Sequence, residues 1–435
     1  MKIIHTSDWH LGRTLYGRKR FEEFEQFLDW MLNTIIQEQA DALLIAGDIF
    51  DTTTPPNRAQ SMYYRFLCRT AASTCRHVVI VAGNHDSPSF LNAPRELLRE
   101  LNIHVVGNSS TDPADEIIVL YDSSGEPELI VCAVPYLRDR DIRRSEPGES
   151  FQDRDRKMQQ GIMDHYAGIT EVANKLRNEF GTGIPVVVMG HLFTQGGKTV
   201  EGDGVRELYV GSLAHVPAEI FLSKTDYTAL GHLHVPQSVA DNETIRYSGS
   251  PLAMGFREST HKKSVCIVEF KSRNGVASSA KTAESNKTGS GSDNHSGQCK
   301  PSIRLVDIPV FQKLMRIEGA LDTITDQLSE LVKSGQSILV EIEYTGESAI
   351  GNLRETLEEM TVGTQIEILR IKNLSFNRSA MKPVRPQETL DELTPEDVFV
   401  RCMDNANVPE ETRPDLIRAY REILQSLHET DSHAA

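Results

Sequence analysis

The sequence predicts an α/β fold, with a β-sandwich flanked by helices, then a smaller α/β unit and a helical tail. Over the first 110 residues, short apolar runs typical of buried strands alternate with helical patterns, which is characteristic of layered α/β domains. The alternation returns on a smaller scale after a stretch rich in Ser, Gly, Asn, Lys and Thr. A chain of 435 residues is longer than one ordinary core requires, so we expect more than one domain.

The first predicted domain covers residues 1–271. Its predicted strands are Lys2–Thr6, Ala42–Ala46, Val78–Ala82, Val186–Met189, Glu207–Val210, Tyr227–Leu230, Thr244–Tyr247 and Ser264–Phe270. Its predicted helices have apolar residues three or four positions apart and lie at Phe21–Ile35, Ala59–Ala72, Ala93–Leu101 and Gln159–Phe180. We expect mixed sheets stacked in a sandwich, with these helices on the outside.

Three further segments follow this domain. Residues 272–301 lack large apolar residues and are predicted to be a flexible insertion. Residues 302–385 are predicted to form the smaller α/β unit, and residues 386–435 an acidic helical tail. The predicted elements are a helix at Ile317–Leu331, a strand at Ile338–Tyr344, a helix at Ile350–Met360, a strand at Gln365–Ile371, and tail helices at Leu390–Met403 and Arg413–Leu427.

Composition and charge exclude several classes of protein. The net charge of −16 argues against coating nucleic acid by bulk electrostatics alone, but it does not exclude a nucleic-acid enzyme with bound cations. No apolar run approaches the roughly 20 residues that cross a bilayer. The six cysteines form no CxxC pair, and the chain starts directly in a strand-like run without a signal peptide. We therefore expect reduced thiols and a cytoplasmic location.

Polar metal-ligand residues follow the apolar runs at five places. These segments are Asp8-Trp9-His10, Gly47-Asp48, Gly83-Asn84-His85-Asp86, Gly190-His191 and Gly231-His232-Leu233-His234. Loops beyond the carboxyl ends of strands converge on one crevice in α/β sheets, so these side chains can meet there. Imidazole, carboxylate and amide oxygen suit Mn, Fe or Zn better than Ca. The glycines would let the backbone turn sharply and approach the metals closely.

The number of these segments decides between a metal site and ordinary turns. A single Asp-x-His or Gly-His occurs often by chance, and Gly-Asn-His-Asp could be a turn with local capping. Five segments, each after a strand, favour two divalent ions about 3.5–4 Å apart that clamp the oxygens of a phosphate ester. Asp48 is the expected bridge, with one carboxylate oxygen for each metal.

The motif order resembles that of the calcineurin-like metallophosphoesterase superfamily, in which all five motifs occur. This resemblance covers roughly residues 1–270 and implies the metallophosphoesterase-type sandwich. It assigns Asp8, His10, Asp48 and His234 to one metal. It assigns Asp48, Asn84, His191 and His232 to the other. His85 would be the catalytic histidine, with Asp86 orienting its ring.

The sequence around the motifs is similar to the SbcD-type DNA exonuclease family. The similar stretches are residues 5–12, Ala46–Asp51, Pro55-Pro56 and Tyr247–Pro251, together with the second unit and the tail. The resemblance implies a Mn²⁺-dependent nuclease for DNA ends and hairpins. It would act as a homodimer in a heterotetramer with an SbcC-type coiled-coil ATPase, which the tail would bind. The second unit would be the capping domain, and no membrane is expected.

Two other functions remain open from the residues alone. The metal motifs equally suit a small-nucleotide phosphodiesterase or phosphatase, although a tail and a capping unit are not needed for that task. A non-enzymatic scaffold is the third interpretation, although an unused ligand set would be a costly cluster of buried polar groups. The basic residues after the first motif fit either a solvated helix start or DNA phosphate contacts: Arg13, Arg18, Lys19 and Arg20.

Overall fold

The computed structural model describes residues 1–143, 146, 148–181, 183–197, 216–222, 225–271, 299–346, 350, 352–374, 395–405 and 408–421. The chain divides into two compact units, Met1–Phe311 and Gln312–Ala435. Within the described ranges, no helix is both long enough and apolar enough to span a membrane. The predicted strand Glu207–Val210 and residues 272–298 of the predicted insertion lie outside the described residues.

The first unit contains fourteen strands among its described residues. They are β1 (Lys2–Thr6), β2 (Thr14–Leu15), β3 (Arg18–Lys19), β4 (Ala42–Ala46), β5 (His77–Val81), β6 (Ile103–Val106), β7 (Ile117–Tyr121), β8 (Pro127–Ala133), β9 (Val186–His191), β10 (Tyr227–Gly231), β11 (Gln237–Val239), β12 (Asn242–Tyr247), β13 (Ser264–Glu269) and β14 (Ser302–Asp307). Its α-helices are α1 (Phe21–Glu38), α2 (Asn57–Ala71), α3 (Pro88–Asn92), α4 (Arg95–Arg99), α5 (Asp139–Ile142), α6 (Phe151–Phe180) and α7 (Glu219–Leu222). Short 3₁₀ turns lie at Pro113–Glu116 and Phe256–Glu258.

Two six-stranded sheets form the sandwich. The first has the order β14-β13-β1-β4-β5-β6, and the second has the order β11-β12-β10-β9-β8-β7. Strands β1, β4, β5 and β6 run parallel, as do β8, β9, β10 and β12. A parallel arrangement brings the carboxyl ends of neighbouring strands to the same edge of each sheet.

A largely apolar layer holds the two sheets together. Side chains such as Leu44 and Val79 from the first sheet meet Val187 and Met189 from the second. The outer face of the first sheet packs on α1 and α2, and that of the second packs on α6. The order of layers is therefore helix, sheet, sheet, helix, which confirms the predicted helix-flanked sandwich.

The sequence located most of these elements but missed several. The strands β6, β7 and β8 were not predicted. The helix expected at Ala93–Leu101 is shorter than predicted, because only α4 (Arg95–Arg99) lies there, and the short helix α3 precedes it. Strand β7 is only partly buried along most of its length and carries no alternating pattern. It lies at the edge of the second sheet, where one face can meet solvent.

The second unit is a three-stranded parallel sheet with helices. Its elements are β15 (Lys313–Gly319), α8 (Leu321–Ser334), β16 (Ile338–Tyr344), α9 (Leu353–Glu359), β17 (Ile366–Asn373), α10 (Pro395–Asn405) and α11 (413–421). The predicted helix Ile317–Leu331 was wrong at its start, because residues up to Gly319 form a strand beside β16. In the tail, the rings of Phe399 and Tyr420 stack 4.1 Å apart.

The boundary predicted at residue 302 was wrong. Residues 302–307 form β14, which pairs antiparallel with β13 in the first sheet. Ile308 is buried in the core beneath α1 and α2, and Phe311 packs against the same core. These ten residues belong to the first unit because they complete its sheet and its core.

Candidate metal centre

The ligand segments meet where the two sheets place the carboxyl ends of their strands side by side. Asp8, Asp48 and Asn84 follow strands of the first sheet, whereas His191 ends β9 and His232 follows β10 in the second. The backbone N–H of His232 donates to Asp8 Oδ1 at 2.9 Å and therefore links the sheets directly. The predicted convergence of distant segments is present in the structure.

Several ligand residues have a backbone conformation that side chains other than glycine rarely adopt. The φ angles are +53° at Asp8, +48° at His10, +50° at Asp48 and +105° at His232. Such conformations cost free energy and persist where the surrounding structure holds them, often at functional sites. Here backbone hydrogen bonds hold them, including His10 N–H to the Asp48 carbonyl at 2.9 Å.

The first cluster of potential ligands contains Asp8, His10 and His234. One ligand atom from each lies within 4.8 Å of the others. The Nε2 atoms of His10 and His234 are 3.2 Å apart, and each of these residues is at most 2% exposed. Carboxylates lie behind both rings, because Asp51 Oδ1 is 3.4 Å from His10 Nδ1 and Glu258 Oε1 is 3.5 Å from His234 Nδ1.

The second cluster contains Asp48, His191 and His232, again with ligand atoms within 4.8 Å of one another. Asn84 joins it, since its Oδ1 lies 3.0 Å from both His191 Nε2 and His232 Nδ1. His191 Nδ1 lies 2.9 Å from the carbonyl of Ala46. A carbonyl oxygen only accepts, so Nδ1 carries the proton and Nε2 faces the cluster.

Asp48 connects the two clusters through one oxygen. Its Oδ2 lies 3.6 Å from His10 Nε2 and 3.3 Å from His191 Nε2. Its Oδ1 instead accepts a hydrogen bond from the backbone N–H of His85 at 2.9 Å. The expectation of one oxygen for each metal therefore differs from the structure, in which the same oxygen faces both clusters.

The donor atoms of this site fit two cations. The Asn84 carbonyl oxygen, the Asp48 carboxylate and His191 Nε2 all converge, and none of them carries a proton when His191 is neutral. Burial disfavours the charged form of His191, yet the Asp48 carboxylate raises its pKa to about 9. Burial lowers the pKa of His10 to about 4. The Asp48 carboxylate thus favours the protonated, positively charged form of His191, whereas His10 stays neutral and can offer a lone pair to a metal.

The glycines that precede the ligands allow the close approach that the sequence predicted. A Cβ on Gly231 would lie 1.9 Å from the Ala46 carbonyl oxygen, and one on Gly83 would lie 2.1 Å from Asp48 Oδ1. At Gly47, with φ +88°, it would lie 2.2 Å from His191 Nδ1, and at Gly190 it would meet Tyr166 Oη at 2.3 Å. At Gly47, Gly83 and Gly231 a side chain would require movement of the backbone or of a proposed ligand, and at Gly190 the Tyr166 side chain would have to move.

His85 lies beside the first cluster, and its ring centroid is 4.8 Å from that of His10. Its Nδ1 is 2.8 Å from the backbone carbonyl of Asp51. This carbonyl accepts the Nδ1 proton, which leaves Nε2 as the ring atom able to act on a substrate. The predicted catalytic histidine is therefore held by a backbone group.

Asp86 does not orient the His85 ring, so that part of the prediction was wrong. Its carboxylate accepts hydrogen bonds from the backbone N–H groups of Ile49, Phe50 and Gly83, at 3.1, 3.0 and 2.8 Å. Asp86 is fully buried, and burial raises its pKa to about 7, with the nearby Asp48 charge adding to the effect. It acts by tying together the two loops that carry Asp48 and His85.

Sequence reasoning missed two of the groups behind the proposed ligands. Glu258 and Lys263 belong to no short motif, and the sequence does not reveal that their charges are buried. Asp51 lies in the similar stretch Ala46–Asp51, but the sequence assigned it no role. Two of the basic residues after the first motif have acidic partners. Arg20 is buried in an ion pair with Glu23, whereas Arg13 Nη1 lies 3.1 Å from Asp51 Oδ1.

The fold and the site define a metal-dependent phosphoesterase that uses two divalent ions. Residues 1–236 match the family described as Calcineurin-like phosphoesterase. Residues 310–407 match the SbcD C-terminal family, described as Type 5 capsule protein repressor C-terminal domain. A dimetal phosphatase from Danio rerio is similar in structure over 62% of this chain and 94% of its own, at 13% identity, but its TM-score is only 0.35.

Two curated relatives identify the branch of this class. The chain is 32% identical to the SbcD subunit of nuclease SbcCD from Escherichia coli (strain K12), over 98% of both chains. It is 39% identical to the corresponding nuclease subunit from Bacillus subtilis (strain 168), over 62% of this chain and 66% of that one. The chain therefore belongs to the SbcD family of nuclease subunits.

Proposed function

We propose that this protein is the Mn²⁺-dependent nuclease subunit of a complex that processes DNA ends and hairpins in recombination and repair. The observation that carries the proposal is the pair of ligand clusters joined by Asp48 Oδ2 at the meeting point of the two sheets. Imidazole, carboxylate and amide donors are compatible with Mn²⁺. DNA, rather than a small nucleotide, is favoured by similarity to SbcD proteins over 98% of the chain.

The ligand residues have a proposed division of labour. Asp8, His10 and His234 hold one ion, Asn84, His191 and His232 hold the other, and Asp48 serves both. The two ions supply a nucleophile from water at neutral pH and stabilise the charge that develops on the phosphate.

His85 acts directly on the substrate in this proposal. Its Nδ1 proton is bound by the Asp51 carbonyl, so a protonated His85 donates from Nε2 to a phosphate oxygen or to the leaving oxygen. Asp86 keeps the loop of His85 at a fixed distance from Asp48 through its three backbone contacts.

The proposed partner is an SbcC-type coiled-coil ATPase that binds the helical tail. Helices α10 and α11 contact each other through the Phe399–Tyr420 stack and the hydrogen bond from Arg421 Nε to Glu396 Oε2 at 3.0 Å. Leu416 on α11 is 41% exposed and is available for an apolar contact. The complex would contain two copies of each chain and act in the cytoplasm, where bacterial DNA lies.

The test measures three reactions of the purified full chain with Mn²⁺. Linear duplex DNA is incubated with and without the ATPase partner, and a small phosphodiester is assayed in parallel. We expect DNA cleavage, its loss in Asp48→Asn, and its retention in Asp122→Asn, which changes a carboxylate in the surface turn after β7.

The three outcomes separate the candidate functions. DNA cleavage that depends on Asp48 supports the nuclease. Turnover of the small ester alone indicates a small-molecule phosphodiesterase. If neither substrate is turned over with the partner present, the protein is a scaffold and the proposal is wrong.

A further inference from the structure

A buried ion pair lies directly behind one metal ligand. Glu258, at the end of the 3₁₀ turn Phe256–Glu258, is fully buried, and Lys263, immediately before β13, is 8% exposed. Neither residue reaches the ligand clusters itself. Both contact His234: Glu258 lies near Nδ1 of the ring, whereas Nε2 faces His10, and Lys263 contacts the backbone carbonyl.

The ion pair holds His234 at both its ring and its main chain. Glu258 Oε1 lies 3.5 Å from His234 Nδ1, and Lys263 Nζ donates to the His234 carbonyl at 2.9 Å. Lys263 also donates to Ser250 Oγ at 2.9 Å and to Glu258 Oε2, so its ammonium has three acceptors. The backbone N–H of Met254 donates to Glu258 Oε2 at 3.2 Å, which fixes the carboxylate with Oε1 towards the ring.

The other ligand histidines have different groups behind them. His191 is backed by the neutral Ala46 carbonyl. His10 is backed by Asp51, whose side chain is 25% exposed and also paired with Arg13. An anionic acceptor makes an imidazole a better metal ligand than a neutral one does, and burial strengthens the effect. The first cluster therefore has two carboxylate-backed histidines, and only His234 has one that is wholly buried.

Stability alone is a poor explanation for this arrangement. Buried ion pairs cost desolvation, and apolar replacements of similar volume often leave a protein equally stable or more stable. The orientation of Glu258 Oε1 towards a metal ligand, with Oε2 occupied elsewhere, points to a task at the metal centre.

We propose that Glu258 and Lys263 are positioning residues that fix His234 with its Nε2 towards the first cluster and strengthen binding of the ion held by Asp8, His10 and His234. Glu258 accepts the Nδ1 proton, and Lys263 fixes Glu258 and the His234 carbonyl. The inference rests on the ligand assignment proposed above. It adds that the two ions differ in their dependence on Glu258.

The test compares Glu258→Gln with Glu116→Gln in the full-length protein. Glu116 is the matched control, because it is 1% exposed and its Oε2 lies 3.0 Å from His165 Nε2, in a carboxylate–imidazole pair outside the ligand clusters. Mn²⁺ binding is measured by calorimetry, and the coupled two-ion signal by electron paramagnetic resonance. We expect Glu258→Gln to weaken one of the two binding steps by about 10–100-fold, and Glu116→Gln to leave both unchanged.

Two further variants separate misfolding and ligand misassignment from failure of the inference. The double variant Glu258→Gln/Lys263→Met removes both buried charges, and we expect it to keep the fold while one ion stays weakly bound. His234→Ala should abolish one binding step. If His234→Ala leaves both steps intact, the ligand assignment is wrong. If only His234→Ala weakens a step while Glu258→Gln binds both ions normally, the positioning role is wrong and the ligand assignment stands.

Discussion

The Asp51 carbonyl holds Nδ1 of His85, and in our proposal the other ring nitrogen acts on the substrate. His85 also lies close to ligand atoms of His10 and Asp51, but neither of the two clusters that share Asp48 includes it, so removing the ring should spare the metals. We predict that His85→Ala binds two Mn²⁺ ions but cleaves DNA about 10²–10⁴-fold more slowly. Metal binding and single-turnover cleavage are measured together. His104→Ala, in β6, is the control, and normal cleavage by His85→Ala would contradict the assigned role.

Asp86 illustrates a carboxylate whose task is structural although it lies within a catalytic motif. Asn in its place has one acceptor oxygen, and its amide would oppose at least one backbone N–H of the three that Asp86 now accepts. We predict that Asp86→Asn lowers the free energy of unfolding by about 2–3 kcal/mol. Denaturant titration of the metal-free protein measures this change. An unchanged stability with lost activity would instead show a direct catalytic role.

The sequence was sufficient to predict which distant residues meet at the candidate site, but not which groups hold them. Asp8, Asp48 and His191 could be found because each stands at the carboxyl end of an apolar strand, and these ends share one edge of a sheet. Glu258 lies 24 positions after His234, in a loop, and its contact depends on how that loop folds back. The Asp51 carbonyl is a backbone group, so no residue type marks it. Motifs identify residues by type and spacing, whereas the contacts of Glu258 and of the Asp51 carbonyl depend on how distant loops fold together.

At the scale of elements, the glycines decide how closely the strands and loops approach. A Cβ on Gly231, at the end of β10, would meet the Ala46 carbonyl that also binds His191. We predict that Gly231→Ala lowers stability by about 1–3 kcal/mol and weakens metal binding. In contrast, a Cβ on Gly168 in α6 would meet only Pro113 Cγ, at 3.9 Å. Gly168→Ala should therefore raise the free energy of unfolding by about 0.5–1 kcal/mol. Thermal unfolding with and without Mn²⁺ measures both, and equal effects would refute the argument.

A buried contact between β1 and β10 makes the free energy of unfolding depend on pH. His5 is fully buried between Tyr227 Oη at 2.9 Å and the Leu230 carbonyl at 3.2 Å, and burial lowers its pKa to about 3. Between pH 6.5 and 3 the unfolded chain therefore binds a proton that the folded chain excludes. Stability rises with pH in this window and is lost as pH falls, by up to about 1.4 kcal/mol per pH unit.

The corresponding variant is His5→Gln, which cannot titrate. We expect a shallower dependence of the free energy of unfolding on pH between 6.5 and 4.5 than in the unmodified protein. Urea unfolding in the presence of a chelator measures both slopes, and His261→Gln, in the loop before β13, is the control. Equal slopes for His5→Gln and the unmodified protein would show that His5 does not contribute.

Element boundaries show where local patterns mislead. Ile317, Leu321 and Ile324 have helical spacing, which predicted a helix from Ile317, but Ile317 is a buried residue of β15. Its spacing to the next helix is coincidental, and Gly319 at the end of the strand marks the true break. The strand Ile338–Tyr344 was predicted with its observed bounds, because Ile338, Val340, Ile342 and Tyr344 alternate along it with the period of a strand.

At the scale of the molecule, the two units divide the work that we propose. The first contains every proposed ligand, whereas the second contains the three-stranded sheet and the tail helices. We therefore expect the first unit to suffice for metal binding and for hydrolysis of a small ester. We expect the second unit to be needed for binding the partner and for cleavage of DNA with it. The end of the first unit can be tested, because residues 302–307 add a strand to its first sheet.

Shortening the chain at two positions tests that boundary. A chain ending at Phe311 keeps β14 and the buried Ile308, whereas one ending at Pro301 exposes the edge of β13 and loses that burial. Burial of one such side chain stabilises by about 1.5–3 kcal/mol, so we predict that residues 1–301 unfold at least that much more easily than residues 1–311. Chemical denaturation measures the difference, and Mn²⁺ calorimetry on residues 1–311 should show two ions. Equal stability of the two fragments would support a boundary at residue 302, because β14 would then contribute nothing to the stability of the first unit.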